Sequence, residues 1–299
     1  MTILLLVTLF MCVALVSGNN LSSCVGTAVG ARIVSGKLAV IIGICGFTLG
    51  LLTLGQNMIH SVQALLPAAA SATLASEVLL SIVAVFILGA ILRVPLSFTS
   101  SLTGVLAGIS IAHRLPIDRI FLGYIIIVWI LAPLISITSA FYAMRVLSRT
   151  TPKNPWSRVK MYKLLIIAAS LLTAYASGTN TLALVVAIGG FNIVQVSIAI
   201  LAIIFGSFFL SAGQIKRVGS EMYSLRYSSA LVTLLISNAL ILFASTYGIP
   251  LSSTQTLSAT VFGVGISHKD RFIATRPFLM IASGWIVAPL VSLGIGLIL

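Results

Sequence analysis

The segment Trp129-Ile-Leu-Ala-Pro133-Leu-Ile-Ser136 returns near the end of the chain as Trp285-Ile-Val-Ala-Pro289-Leu-Val-Ser292. Three more pairs recur in the same order, about 155 to 160 residues apart: Pro95-Leu-Ser97-Phe-Thr99 with Pro250-Leu-Ser252-Ser-Thr254, Ser17-Gly-Asn-Asn20 with Ser177-Gly-Thr-Asn180, and His113-Arg114 with His268-Lys269. Each copy falls at a break between apolar runs. Four pairs in register indicate an internal duplication.

The composition predicts that both copies lie in a lipid bilayer. Of the 299 residues, 59% are hydrophobic and 7% are charged, and the mean hydropathy is +1.20. A soluble domain is about 25% charged, which excludes a soluble globule, a disordered chain and a nucleic-acid-binding domain. We therefore expect an all-α polytopic protein of the cell membrane.

The basic residues divide and orient the chain. We expect a first repeat at residues 1–147, a basic cytoplasmic linker at 148–163 and a second repeat at 164–299, because the linker has five basic residues and no acid. The basic loops read in, out, in along the first half and out, in, out along the second. This alternation predicts two inverted-topology repeats with broken or re-entrant helices, about ten crossings and both termini outside.

Inverted repeats are typical of transporters, whose sites lie near the bilayer midplane where discontinuous helices end. The first duplicated polar pair, Ser17–Asn20 and Ser177–Thr181, is predicted to break two helices. Its amide and hydroxyl oxygens suit a small cation, although they could equally cap a buried break. The candidate coupling-ion residues are Asn19, Asn20, Asn180 and Thr181, with Asn19 and Asn180 as the metal ligands if sodium binds.

In the second polar pair, a proline is followed by hydroxyl residues and then by an apolar run, the pattern of a helix N-terminus. Free N–H groups and the helix dipole favour an anion there. Two such ends meeting across a pseudo-two-fold axis would form an oxyanion cradle. Alternatively, the small hydroxyl residues only allow helices to pack closely. The candidate substrate-binding residues are Ser97, Thr99, Ser100, Ser252, Ser253, Thr254 and Gln255.

These motifs resemble those of the inorganic phosphate transporter family, which also includes sulfate permeases. That family opens each half with Gly-Ala-Asn-Asp and later has a motif of the type Pro-Val-Ser-Thr-Thr-His. In the first signature Asn19 and Asn180 match the family Asn, whereas Asn20 and Thr181 replace an Asp implicated in binding the coupling sodium. The Pro-Ser motifs match at Pro95 and Pro250 and the hydroxyl residues after them. Ser100 and Gln255 stand where the family often has His.

The resulting prediction is a secondary transporter of a small inorganic oxyanion, phosphate before sulfate, that works by cation-coupled alternating access. A sulfate permease of the same fold and an anion channel or passive conduit are the alternatives. No enzymatic motif is present, and the only cofactor expected is a coupling sodium ion or proton. Glu77, His113 and His268 are expected at the membrane interface, and a part in proton movement is left open. The choice between a monomer and a homodimer is also left open.

Overall fold

The computed structural model describes residues 3–67, 71–91, 97–150, 154–211, 227–267 and 275–298. Within these ranges the chain is helical and contains no strand. The α-helices are α1 (Ile3–Gly30), α2 (Gly36–Thr53), α3 (Met58–Leu65), α4 (Ala72–Ile91), α5 (Phe98–Ala112), α6 (Arg119–Thr150), α7 (Pro155–Ser177), α8 (Ala183–Gly189), α9 (Ile193–Phe205), α10 (Tyr227–Thr246), α11 (Ser253–Ser267) and α12 (Thr275–Ile298). The π-helical segment Gly178–Leu182 joins α7 to α8, and another, Gly206–Leu210, extends α9.

The described chain contains seven helical stretches that are long and apolar enough to cross a bilayer. They are Ile3–Gly30, Gly36–Thr53, Arg119–Leu147, Trp156–Gly189, Ile193–Leu210, Tyr227–Thr246 and Phe278–Ile298. Helix α5 is apolar but has only 15 residues, about 22 Å of helix against a hydrocarbon core of about 30 Å. The protein is thus an all-helical, multi-pass membrane protein, as its composition predicts.

The basic segment 148–163 is more helical than a linker suggests. Helix α6 runs to Thr150, and α7 begins at Pro155. The side chain of Asn154 accepts a hydrogen bond from the Trp156 N–H at 3.0 Å and caps α7. Proline is favoured at the first position of a helix because its missing N–H has no helical partner there. The two helices therefore follow each other with a short connection.

The predicted break at Ser17–Asn20 is absent, because α1 continues through it to Gly30. A Cβ on Gly18 would lie 2.6 Å from the Leu210 Cβ and 2.9 Å from the Gly206 carbonyl oxygen. This glycine therefore allows a close helix contact and does not interrupt the helix. The equivalent stretch after Ser177 also stays helical, as the π segment Gly178–Leu182. Backbone hydrogen bonds are retained in a bilayer because no water replaces them.

Helices from the two halves pack against each other in matching pairs. Helix α5 packs on α12 as α11 packs on α6, and α2 packs on α7 as α9 packs on α1. A Cβ on Gly108 would meet the Leu293 carbonyl oxygen, and a Cβ on Gly263 would meet that of Ile137. Helix α5 is buried on all sides from Phe98 to Ser110, so its N-terminus lies inside the bundle.

Candidate anion-binding site

Two short helices begin at equivalent serines inside the bundle. The Ser97 side chain caps α5 by accepting a hydrogen bond from the Ser100 N–H at 3.4 Å. The Ser252 side chain accepts one from the Gln255 N–H at 3.2 Å in the same way for α11. The first N–H groups of a helix have no partner within it, so each start presents free donors and the positive end of a helix dipole.

The two helix starts touch through their capping side chains. The Ser97 hydroxyl donates to the Ser252 hydroxyl at 2.7 Å, and the Ser252 and Thr254 hydroxyls are 2.9 Å apart. Ser97 is 4% exposed and Ser252 is 2% exposed, whereas Thr254 is exposed. Two N-termini from different halves thus meet at buried hydroxyls, with one accessible hydroxyl beside them.

A second contact between the halves lies in the first turn of α5, two residues after Ser97. The Thr99 and Thr181 hydroxyls are 3.1 Å apart, and both side chains are buried. Thr181 belongs to the π segment after α7 and occupies the position where the resembled family has an acid. The structure therefore places Thr181, a candidate coupling-ion residue, against Thr99, a candidate substrate-binding residue.

Asn180 is occupied by the turn that precedes α11. Its Nδ2 donates to the Ser245 Oγ and to the Ile249 carbonyl oxygen, each at 3.1 Å, and its Oδ1 accepts from the Leu251 N–H at 3.1 Å. The Asn180 side chain thus forms hydrogen bonds with the backbone of Ile249 and of Leu251, the residues on either side of Pro250. One lone pair of Oδ1 remains for a cation.

Asn19 and Asn20 lie in a more open environment, since both side chains are half-buried. The Asn20 Nδ2 donates to the Ser177 Oγ at 3.1 Å and so links α1 to α7, while the Asn19 Nδ2 donates to the Asn20 Oδ1 at 3.5 Å. Of the four candidate coupling-ion residues, these two have the more accessible oxygens.

The remaining candidate substrate residues differ in where their polar atoms point. The Ser253 Oγ is buried with no hydrogen-bond partner in the described part of the chain, so it is an unused donor at the start of α11. The Ser100 Oγ donates to the Ser97 carbonyl oxygen at 3.4 Å. The Gln255 Nε2 donates to the Trp129 carbonyl oxygen at 2.8 Å and faces α6. Ser253 is therefore the best placed of these three to meet a ligand.

Side chains that the sequence analysis did not select hold the turn before α11. The Asn57 Nδ2 donates to the Ser245 and Thr246 carbonyl oxygens at 3.2 and 3.3 Å, and the Ser61 Oγ donates to the Gly248 carbonyl oxygen. Nothing in their local sequence marks Asn57 or Ser61 as part of a site. Trp129, which also contacts this turn, is marked by its duplicated motif.

Among the described residues, the candidate proton carriers form no hydrogen bond with the two helix starts. Glu77 on α4 and His113 at the end of α5 are both exposed. His268 lies outside the described residues, as does Pro95 of the first Pro-Ser motif. The described part of the site is therefore built from neutral hydroxyl, amide and backbone groups.

Buried helix ends that meet inside a multi-pass bundle are typical of transporter binding sites. The profile of the phosphate transporter family matches residues 16–296, and the chain belongs to that family. The resemblance seen in the sequence is thus confirmed, and the protein is a transporter and not an enzyme.

Two comparisons extend this result. The chain is 23% identical over 300 residues to a protein of Methanocaldococcus jannaschii provisionally named a phosphate permease, and the match covers 98% of this chain and 95% of the relative. A solved structure named the sodium-dependent phosphate transporter superposes with a TM-score of 0.80 at 15% identity, covering 99% of this chain and 98% of the other. At that identity the superposition establishes a shared fold.

Proposed function

We propose that this protein carries inorganic phosphate across the membrane by sodium-coupled alternating access, with the substrate held between the starts of α5 and α11. One observation carries the proposal: the capping hydroxyls of Ser97 and Ser252 lie 2.7 Å apart although they come from different halves of the chain. Membership of the phosphate transporter family supports phosphate as the oxyanion.

Two inverted repeats are part of this proposal. Helix α5 of the first half packs on α12 of the second, and the equivalent helix α11 of the second half packs on α6 of the first. This matched packing supports two structurally equivalent halves. The contacts of Gly108 and Gly263 support it further, because each glycine approaches a backbone carbonyl of the other half at an equivalent place. Counting α7 with α8 as one segment, we propose ten membrane segments, namely α1, α2, α4, α5 and α6, then α7–α8, α9, α10, α11 and α12. Helices α5 and α11, with 15 residues each, are too short to span the hydrocarbon core alone.

The chemistry of the helix starts suits a phosphate ion. A tetrahedral oxyanion accepts hydrogen bonds on every side, and the site offers hydroxyls together with first-turn N–H groups. The unpartnered Ser253 Oγ is one more donor. An anion seated between Ser97 and Ser252 would replace their direct bond, because each hydroxyl must then donate to phosphate. We infer that ligand-free Ser97 and Ser252 close on each other and that phosphate separates them.

Sodium suits the described residues better than a proton does as the coupling ion. Bringing an anion inward against the membrane potential costs about 2.3 kcal/mol per charge per 100 mV, so a co-transported cation is required. Glu77 and His113 are exposed, and neither forms a hydrogen bond with the described helix starts. Neutral oxygens of Asn19, Asn20 and Thr181 can instead coordinate sodium, and the structural neighbour is by name sodium-dependent.

Uptake into proteoliposomes tests this function. Labelled phosphate and labelled sulfate are offered separately, with a sodium gradient or a pH gradient imposed alone. We expect phosphate to accumulate above its equilibrium level when only the sodium gradient is present. Accumulation of sulfate in preference to phosphate would make the protein a sulfate permease. Anion current that follows voltage and ignores both cation gradients would make it a conduit, and either result contradicts the proposal.

A further inference from the structure

The duplicated Trp-Ile-Leu-Ala-Pro motif of α6 contacts the start of α11. Pro133 lies inside α6 and has no N–H, so the carbonyl oxygen of Trp129, four residues earlier, loses its helical donor. The Gln255 Nε2 supplies the missing hydrogen bond at 2.8 Å. The proline thus creates an acceptor on α6 that a side chain from the first turn of α11 uses.

Trp129 also donates a hydrogen bond to the segment that precedes α11. Its Nε1 donates to the Pro250 carbonyl oxygen at 2.8 Å. Pro250 stands two residues before Ser252, in the non-helical turn that leads into α11. Irregular backbone at membrane depth persists only where other protein groups satisfy it. Trp129 therefore accepts one hydrogen bond from Gln255 and donates another to Pro250. These two partners lie on either side of Ser252 in the sequence.

We propose that Trp129 and Gln255 are positioning residues that hold Ser252 and the start of α11 against α5 for phosphate binding. The inference rests on the proposed function, since it concerns the same anion site. It also reassigns Gln255, which the sequence analysis placed among the substrate-binding residues. Its amide nitrogen is engaged by α6, and its role is to fix the helix whose first turn meets the anion.

The equivalent motif of the other half lacks this arrangement in the described residues. The Trp285 Nε1 is buried and has no hydrogen-bond partner there. Ser100, at the position equivalent to Gln255, bonds within its own turn. Helix α5 is instead held by close packing, since a Cβ on Gly104 would meet the Pro289 carbonyl oxygen. Trp285 therefore provides a matched control with the same residue, helix context and following proline.

The first test measures phosphate binding by purified protein. Trp129→Phe keeps an aromatic side chain but removes the indole N–H together with the five-membered ring, a packing loss that the Trp285→Phe control shares. Gln255→Met keeps the length and removes the amide. Each loses one hydrogen bond of ordinary strength, so we expect the phosphate dissociation constant to rise about threefold to tenfold. Trp285→Phe should stay within about twofold of the natural protein. Equal effects of Trp129→Phe and Trp285→Phe would overturn the inference.

A second measurement reports position without relying on phosphate. A cysteine pair, Ser97→Cys with Ser252→Cys, is oxidised in detergent, and the rate of disulfide formation is compared with and without Trp129→Phe or Gln255→Met. Both added substitutions should slow the crosslink at least threefold, and Trp285→Phe should not. Unchanged crosslinking rates would show that neither residue positions α11. Should the natural protein fail to bind phosphate while these rates still change, the proposed function fails and the positioning role stands.

Discussion

Ser97 and Ser252 share a hydrogen bond of 2.7 Å across 155 residues of sequence. Each serine caps a short helix, and the two helices belong to different halves of the chain. The bond joins two helix starts that also have unpaired N–H groups, and the described residues that form this site carry no charge. An incoming anion supplies one.

Thr254→Val should weaken phosphate binding. Thr254 is exposed beside Ser252, and valine keeps its shape but removes the hydroxyl. A hydrogen bond to a charged group contributes roughly 1.5–3 kcal/mol, so the dissociation constant should rise about tenfold or more. Thr138→Val is the control, because Thr138 is also exposed and its hydroxyl bonds only within its own helix. Equal affinities in these two variants would remove Thr254 from the site.

Asn20→Asp and Asn180→Asp should have opposite consequences, although both exchange an amide for an acid in the same duplicated motif. Asn20 is half-buried with one hydrogen bond from its amide to Ser177, so a carboxylate there can face a cation. We expect Asn20→Asp to strengthen the sodium dependence of uptake, because a full charge replaces a dipole. The natural protein should show weaker sodium dependence than relatives with both acids.

Asn180→Asp should instead destabilise the protein. Aspartate cannot donate to the Ile249 carbonyl oxygen, and it would place a negative charge against that oxygen. An unsatisfied buried group costs about 1–3 kcal/mol, and a charged one costs more. The thermal midpoint in detergent should fall, and measuring it for both asparagine variants separates a structural loss from a change in coupling. Similar midpoints for the two would contradict the role assigned to Asn180.

Gly206→Ala should lower stability through a clash between helices. A Cβ at Gly206 would meet the Ala14 carbonyl oxygen and the Ser17 Oγ. Overpacking of this kind costs about 1–3 kcal/mol, which thermal unfolding in detergent can detect. Gly123→Ala is the control, since its Cβ would meet nothing within 4 Å. If both variants have the same thermal midpoint as the natural protein, α1 and the end of α9 do not approach as closely as described.

The topology predicted from the basic loops can be tested by labelling. Gln56 and Lys160 are both exposed, the first before α3 and the second in the first turns of α7. The positive-inside rule places Lys160 in the cytoplasm and the uncharged loop of Gln56 outside. Cysteines introduced singly at these positions, with Cys45 replaced by Ala, should react with an impermeant maleimide from opposite faces. Labelling from one face would contradict the inverted-topology proposal.

The sequence predicted the parts of this structure that depend on local pattern. Runs of apolar residues predicted the membrane helices, and a proline followed by hydroxyl residues predicted the helix starts at Ser97 and Ser252. These features follow from chain chemistry within a few residues, so they are readable without the fold. The duplication added the expectation that the two starts belong together.

Other features depend on partners distant in sequence and could not be predicted. Gly18 suggested a helix break, but its function is set by Leu210 and Gly206 on the facing helix. Gln255 was predicted as a substrate ligand, which stays a prediction, but the hydrogen bond of its amide nitrogen to a carbonyl that Pro133 leaves unpaired on α6 could not be foreseen. In both cases a polar or small residue inside the membrane has a packing or hydrogen-bonding role that only the facing helix reveals.

A cysteine pair at Ser97 and Ser252 tests whether phosphate binds between the starts of α5 and α11. With Cys45 replaced by Ala, Ser97→Cys with Ser252→Cys is oxidised in detergent with and without phosphate. We expect a disulfide to form rapidly without phosphate and at least tenfold more slowly with phosphate, with chloride at equal ionic strength as the control. A crosslink that forms equally fast with and without phosphate, in protein shown to bind phosphate, would show that phosphate does not bind between these two helix starts.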